Sequence, residues 1–168
     1  SQGTVYMQLS ETTKFEYKGD KKKTKKERLI IEDKIYFTVG DIGYVNQEGY
    51  LFLCDRKIDM IISGGANIYP AEIESVFLMH PKVADVAVFG IPNDEWGEEV
   101  KAVIELNNNQ SPSDQTSSEL MSFAQENLAK MKLPRSIDFI KKLPRDENGK
   151  LYKRRLRDPY WKNHSSKV

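Results

Sequence analysis

The sequence has a single cysteine, Cys54, among its 168 residues. No intramolecular disulfide framework can form, and the thiol fits a reducing compartment, the cytoplasm being the expected location. Long apolar runs are also missing: none approaches the roughly eighteen residues that a spanning helix needs. No transmembrane segment is therefore expected, while association of the full-length protein with a membrane surface stays open. The formal net charge is only +1. No global field argues for a nucleic-acid or membrane partner. There is no internal repeat, no initiating methionine and no signal peptide in "SQGTVYMQLS". That opening reads as a strand already under way, so the expectation is a piece of a longer protein.

What is present is a soluble composition with 39% hydrophobic and 30% charged residues, enough for one ordinary domain or two small ones. Charge is unevenly spread. "KKKTKKER" at 21–28 and the stretch from Lys141 to Arg157 are both strongly basic.

Residues 3–9 and 34–39 have the β-branched and aromatic content of strands, with the lysine run between them a loop or a solvated helix. "YVN", a turn at "QEG" and "YLFLCDR" read as a hairpin. A short strand over 58–62 leads into the loop Ser63–Asn67, and Pro70 suits the first turn of a helix with Ile73, Val76 and Phe77 buried. "VADVAVFGI" and "EEVKAVIEL" read as strands. Thr116 with Glu119 offers a capping box for a helix burying Leu120, Phe123, Ala124 and Leu128. The strand "SIDFI", the loop "LPRDENGK" and a short basic helix close the chain. The expected class is α+β: a small C-terminal α+β domain, a mixed sheet flanked by helices, preceded by antiparallel strands.

Candidate functional residues stand along this frame. Asp41, after Gly40, can accept the two hydrogen bonds that a ribose diol offers, or can simply cap a turn. Arg56 could complement it, or be a surface arginine. The backbone of "SGGANIYP" is unobstructed enough for a thin ligand to pass closely, and is equally a flexible turn. Lys150 either belongs to a solvated cationic tail or is delivered to an anion by a loop that Gly149 shapes.

Taken together in order, "VGDIGYVNQEGYLFLCDRKIDMIISGGANIYPAEIE", "HPKVADVAVFGIPNDEWGEEVKAVIEL" and "LPRDENGKLYKRRLR" resemble the adenylate-forming (AMP-binding) enzymes from about Gly3 to Arg157. "DRKIDMIISGGANIYPAEIE" looks most like the acyl-CoA synthetase branch, with a fatty acid as the expected substrate.

The resemblance implies that residues 1–57 are terminal strands of a large N-terminal AMP-binding domain and 58–168 a mobile C-terminal lid. It implies Asp41 and Arg56 at the nucleotide, Lys57 and Ile58 as hinge, and Lys150 as the catalytic cation. Ser63, Gly64, Gly65, Trp96 and Lys132 would follow the CoA and pantetheine path. ATP, Mg2+ and coenzyme A are the implied substrates or cofactor, none held tightly by this piece and no metal ligand within it. The implied partners are the chain's own N-terminal domain and a small carboxylic acid.

Val39 stands where the family usually has Thr, and Ile58 where it commonly has Asp or Lys. The phosphate loop, the Mg-binding glutamate motif and the acyl pocket are absent, so this piece alone is expected to be inactive. Two other readings stand beside this one: a basic module for nucleic acid or anionic lipid, and a non-catalytic interaction domain. The basic runs lack interleaved aromatics, which counts against the first.

Overall fold

Two stretches of backbone pairing divide the chain after Ile58. The computed structural model describes residues 2–10, 13, 15–162 and 164, in one unit of Ser1–Ile58 and another of Asp59–Val168.

The first unit holds β1 (Gly3–Thr4), β2 (Met7–Gln8), α1 (Lys21–Lys26), β3 (Arg28–Ile31), β4 (Lys34–Phe37), β5 (Asp41–Val45) and β6 (Leu51–Arg56). They form two three-stranded sheets, ordered β1-β5-β6 and β2-β4-β3. The extended run expected over 3–9 is thus split, because β1 pairs with β5 and β2 with β4. The lysine run resolves into the exposed helix α1, with Asp20 accepting the Lys23 amide at 2.9 Å. Strand β3, not expected, follows it. Few residues of this unit are buried, Thr38 and Ile42 among them, while Ile30, Leu51 and Leu53 are exposed.

The second unit holds β7 (Ile61–Ser63), β8 (Ala66–Ile68), α2 (Pro70–Leu78), β9 (Val83–Asn93), β10 (Gly97–Leu106), α3 (Asp114–Asn127), β11 (Ser136–Ile140) and α4 (Lys153–Trp161). Strand β10 lies at the centre of a mixed sheet, antiparallel to β9 and parallel to β11. The β7–β8 hairpin joins β10 where Gly97 faces Ser63. The α+β class expected from the sequence is the observed one.

Two boundaries differ from expectation. The strand expected over 58–62 begins at Ile61, and Ala66 and Asn67 of the expected loop join Ile68 in β8. Helix α3 starts earlier than Thr116: Ser113 is its N-cap and accepts the Thr116 amide at 3.0 Å. Glu119 has no capping part to play there, because its carboxylate pairs with Lys82 and His80.

Alternation along β9 and β10 places apolar side chains on both faces of the sheet. Val86, Val88, Val100 and Ile104 meet Ile73 and Phe77 of α2 and Leu120 of α3 on one face. Ala87, Phe89 and Val103 meet Leu143, Leu151 and Leu156 on the other. The outer edge of β9 is covered rather than left open. Glu74 accepts the Val88 amide at 2.7 Å and pairs with Lys153 at 2.8 Å. Trp161 Nε1 donates to the Gly90 carbonyl at 3.0 Å. Lys101, buried, pairs with Asp138 at 2.9 Å, and the Tyr160 hydroxyl donates to the same carboxylate at 3.1 Å. These contacts seat α4, and with it the preceding loop, on the sheet.

Candidate functional site

In the first unit the ladder between β5 and β6 sets Asp41 directly opposite Arg56. Arg56 Nε lies 3.7 Å from Asp41 Oδ1. Both side chains reach solvent, so the pair leaves carboxylate lone pairs for hydroxyl donors. Gly40 ahead of them is fixed on both sides: its amide donates to Thr38 Oγ1 at 3.0 Å and its carbonyl accepts the Lys57 amide at 2.7 Å. Thr38, one residue before Val39, is buried and so does this anchoring from its own position. Residues 57–59 form a turn, in which Ile58 is exposed.

In the second unit Gly64 and Gly65 form the two-residue turn of the β7–β8 hairpin, both at positive φ (+56° and +81°). That is the geometry which suits the twist of a tight hairpin and which glycine accepts without strain. The Gly64 amide donates to the Trp96 carbonyl at 2.9 Å. The turn carrying Trp96 is built by Asn93, whose Oδ1 accepts the amides of Glu95 and Trp96 at 3.0 and 2.9 Å. Ser63, Gly64 and Trp96 line a cavity of about 350 Å³ together with Lys130, Met131 and Arg135. Its walls are mainly apolar, and the charged groups on them are the cations Lys130 and Arg135 and the carboxylate of Glu99, a setting for a thin ligand whose anionic groups meet the two cations.

Gly65 takes the second turn position, outside this lining. Lys132 also lies outside it: its Nζ contacts both carboxylate oxygens of Glu72 at 2.6 and 2.7 Å. The sequence pointed to Lys132 and missed Lys130 and Arg135. Only the tertiary fold separates three neighbouring cations into lining and non-lining positions.

Lys150 projects from the loop 143–151, which is closed by a bridge between Arg145 and Leu151. Gly149, at φ +81°, makes the bend. Lys150 is exposed, and its Nζ lies 5.9 Å from the Tyr152 ring centroid. Leu143 buries the start of the loop, and its amide donates to Glu105 at 2.7 Å. Arg145 grips Asp85 with Nε and Nη2, at 2.6 and 2.8 Å.

The electrostatics of the loop follow from these contacts. Burial pushes the Asp85 carboxyl up, but the Arg145 hydrogen bond, the Val86 amide and the Arg145 charge bring it below its ordinary value. The hydrogen bond to Asp85 raises Arg145 in turn. Asp146 is lowered chiefly by the Lys150 amide that it accepts. Among the described residues no group of three or more His, Cys, Asp or Glu could hold a metal ion. Among them, too, no helix is long and apolar enough to cross a membrane.

The small α+β unit, with its glycine hairpin under a tryptophan and its loop-borne lysine, has counterparts among known proteins. Residues 72–150 match the family described as AMP-binding enzyme C-terminal domain. The chain is 43% identical over 122 residues to a 2-succinylbenzoate–CoA ligase of Geobacillus kaustophilus, covering 73% of this chain and 24% of that one. It is 43% identical over 128 residues to a long-chain-fatty-acid–CoA ligase of Mycobacterium tuberculosis, covering 76% and 25%. Its fold matches o-succinylbenzoate CoA synthetase from Bacillus subtilis, solved in complex with an acyl-adenylate intermediate. The TM-score is 0.77 and the identity 32%, with 100% of this chain and 32% of that chain covered.

The chain belongs to the adenylate-forming (AMP-binding) enzymes and carries their C-terminal domain. It spans about a quarter of the length of the curated relatives it matches.

Proposed function

We propose that this chain is the C-terminal part of an ATP-dependent, AMP-forming acyl-CoA synthetase, and that its second unit works as a lid serving two half-reactions. One observation carries the reading. The central sheet bears the Lys150 loop, through Leu143 and Leu151, on one face and the α2–α3 core on the other. The Gly64–Trp96 cavity is continuous with that second side through Val100 and Leu133. A domain carrying a cation on one side and an apolar passage on the other can offer each in turn.

In the first half-reaction a substrate carboxylate attacks the α-phosphate of ATP and pyrophosphate leaves. Two anions approach, and negative charge builds in the five-coordinate transition state. Lys150 supplies a point charge there, and Asp41, with Arg56 beside it, accepts the ribose hydroxyls. In the second half-reaction the CoA thiolate attacks the acyl carbonyl and AMP leaves. That step needs a channel, formed by Ser63 and Gly64 beneath Trp96, with Gly65 at its rim. Lys130 and Arg135 stand ready for anionic groups of CoA. Lys132 could take a CoA phosphate only by releasing Glu72. Lys57 and Ile58 form the hinge, and the large N-terminal domain supplies the acid pocket and most of the nucleotide site. The names of the relatives, a succinylbenzoate ligase and a fatty-acid ligase, support a carboxylic acid substrate.

Product analysis tests this. The full-length protein given ATP, CoA and a panel of fatty and aromatic acids should release AMP and pyrophosphate and form a thioester. Release of ADP, or no thioester with any acid, would contradict it.

A further inference from the structure

The peptide unit joining Gly149 to Lys150 is held at both of its polar ends. Its carbonyl oxygen accepts from Arg145 Nη1 at 2.7 Å. Its N–H donates to Asp146 Oδ1 at 2.9 Å. The same Asp146 oxygen accepts the Asn148 amide at 3.0 Å, and its other oxygen accepts the Tyr152 hydroxyl at 3.2 Å. Behind Arg145 stands Asp85 on β9, which takes the guanidinium in a two-toothed grip and also accepts the Val86 amide at 2.9 Å. Asp85 sits beside the buried Val86 and Ala87, so the chain of contacts runs from the sheet to the base of Lys150.

Two torsions rotate that peptide plane: ψ of Gly149 and φ of Lys150. Glycine leaves the first nearly unrestricted, and the second sets the direction in which the lysine side chain departs. Without a clamp the loop could flip the plane and re-aim the ammonium. Charge-assisted hydrogen bonds to both ends oppose the flip and are roughly twice as strong as neutral ones. Only an arginine can span Asp85 and the Gly149 carbonyl together, since its donors form a rigid planar fork.

We propose that Asp146, and Asp85 acting through Arg145, are positioning residues that aim Lys150 during acyl-adenylate formation. The inference rests on the role assigned to Lys150 above. None of the three needs to touch substrate. Their effect falls on the first half-reaction alone, because the second uses the other side of the domain.

The experiment compares Asp146→Ala, Asp146→Asn, Arg145→Lys and Lys150→Ala in the full-length ligase. Acyl-adenylate formation and thioester formation from supplied acyl-adenylate are timed separately. Asp146→Ala and Arg145→Lys should slow adenylation about tenfold to a hundredfold, the scale of a misplaced group. KM for ATP should stay within about twofold, because ground-state binding is not what they supply. Asp146→Asn keeps an oxygen that accepts the Lys150 amide, and should restore the rate to within about threefold. Thioester formation should be unchanged throughout, which also reports an intact fold.

Equal loss of both half-reactions, or no rescue by Asn, would overturn the positioning role. So would adenylation untouched by Asp146→Ala and Arg145→Lys while Lys150→Ala abolishes it. If Lys150→Ala itself leaves adenylation intact, the underlying reading of Lys150 fails first, and the positioning role falls with it.

Discussion

The indole of Trp96 rests directly on the backbone of Gly64: a β-carbon added there would stand 2.4 Å from Cε3 and 2.8 Å from Cζ3 of the ring. No side chain fits without moving the tryptophan, and Gly64 at φ +56° disfavours one in any case.

Gly64→Ala should therefore push Trp96 aside and deform the cavity. A left-handed position costs a non-glycine residue about 1–2 kcal/mol, so the domain should still fold. In the full-length ligase, KM for CoA should rise about tenfold or more, with adenylation within about twofold of the parent. Tryptophan fluorescence reports the displacement, and separate half-reaction assays report the selectivity. An unchanged thioester step would remove the cavity from the CoA path.

Phe77 is fully buried between α2 and the sheet. Phe77→Ala should cost about 3–5 kcal/mol through lost burial and the cavity left behind. Chemical denaturation followed by circular dichroism measures it. A loss below about 1 kcal/mol would mean that the α2 face is not the core described here.

Acid sensitivity follows from Asp85, whose carboxyl is held below its ordinary value of 3.8. A carboxylate depressed on folding stabilises above its unfolded value, and loses that contribution as pH falls through the lower folded value. The stability gap between the parent and Asp85→Asn should thus be widest near neutrality. It should shrink steadily below about pH 4. Urea midpoints at a series of pH values measure this, and a gap constant with pH would contradict it.

The isolated 168-residue chain should not catalyse ATP–pyrophosphate exchange, since the proposed function assigns the acid pocket and most of the nucleotide site to a large N-terminal domain. The exposed apolar residues Ile30, Leu51 and Leu53 of the first unit fit the same proposal of a missing larger domain. Appreciable exchange by this chain alone would refute it.

Much of the second unit was legible in the sequence because its signals are local or periodic. The runs in β9 and β10 are apolar at consecutive positions, as strands covered on both faces must be. Pro70 marks the start of α2, and Gly149 marks the bend before Lys150.

What could not be read depends on contacts distant in sequence or on turns without a signature. The β3–β4 hairpin closes through Glu32 and Asp33, both at positive φ, where no glycine announces a turn. Ser113 and Thr116 both look like helix caps. The choice between them shows only once Glu119 is seen pairing with Lys82, 37 residues away. The candidate site divides in the same way. Asp41, Arg56, Gly64 and Lys150 stand out by order and residue type, whereas Asp85 gives no hint that it braces a loop 60 residues later.

The central claim is tested most directly by measuring both half-reactions of the full-length ligase carrying Lys150→Ala. Loss of one preorganised charge at a transition state costs roughly a hundredfold to a thousandfold in rate. Acyl-adenylate formation should fall by at least that much, while CoA thioester formation from supplied acyl-adenylate continues at the parent rate. Adenylation at the parent rate, or equal loss of both steps, would contradict the account.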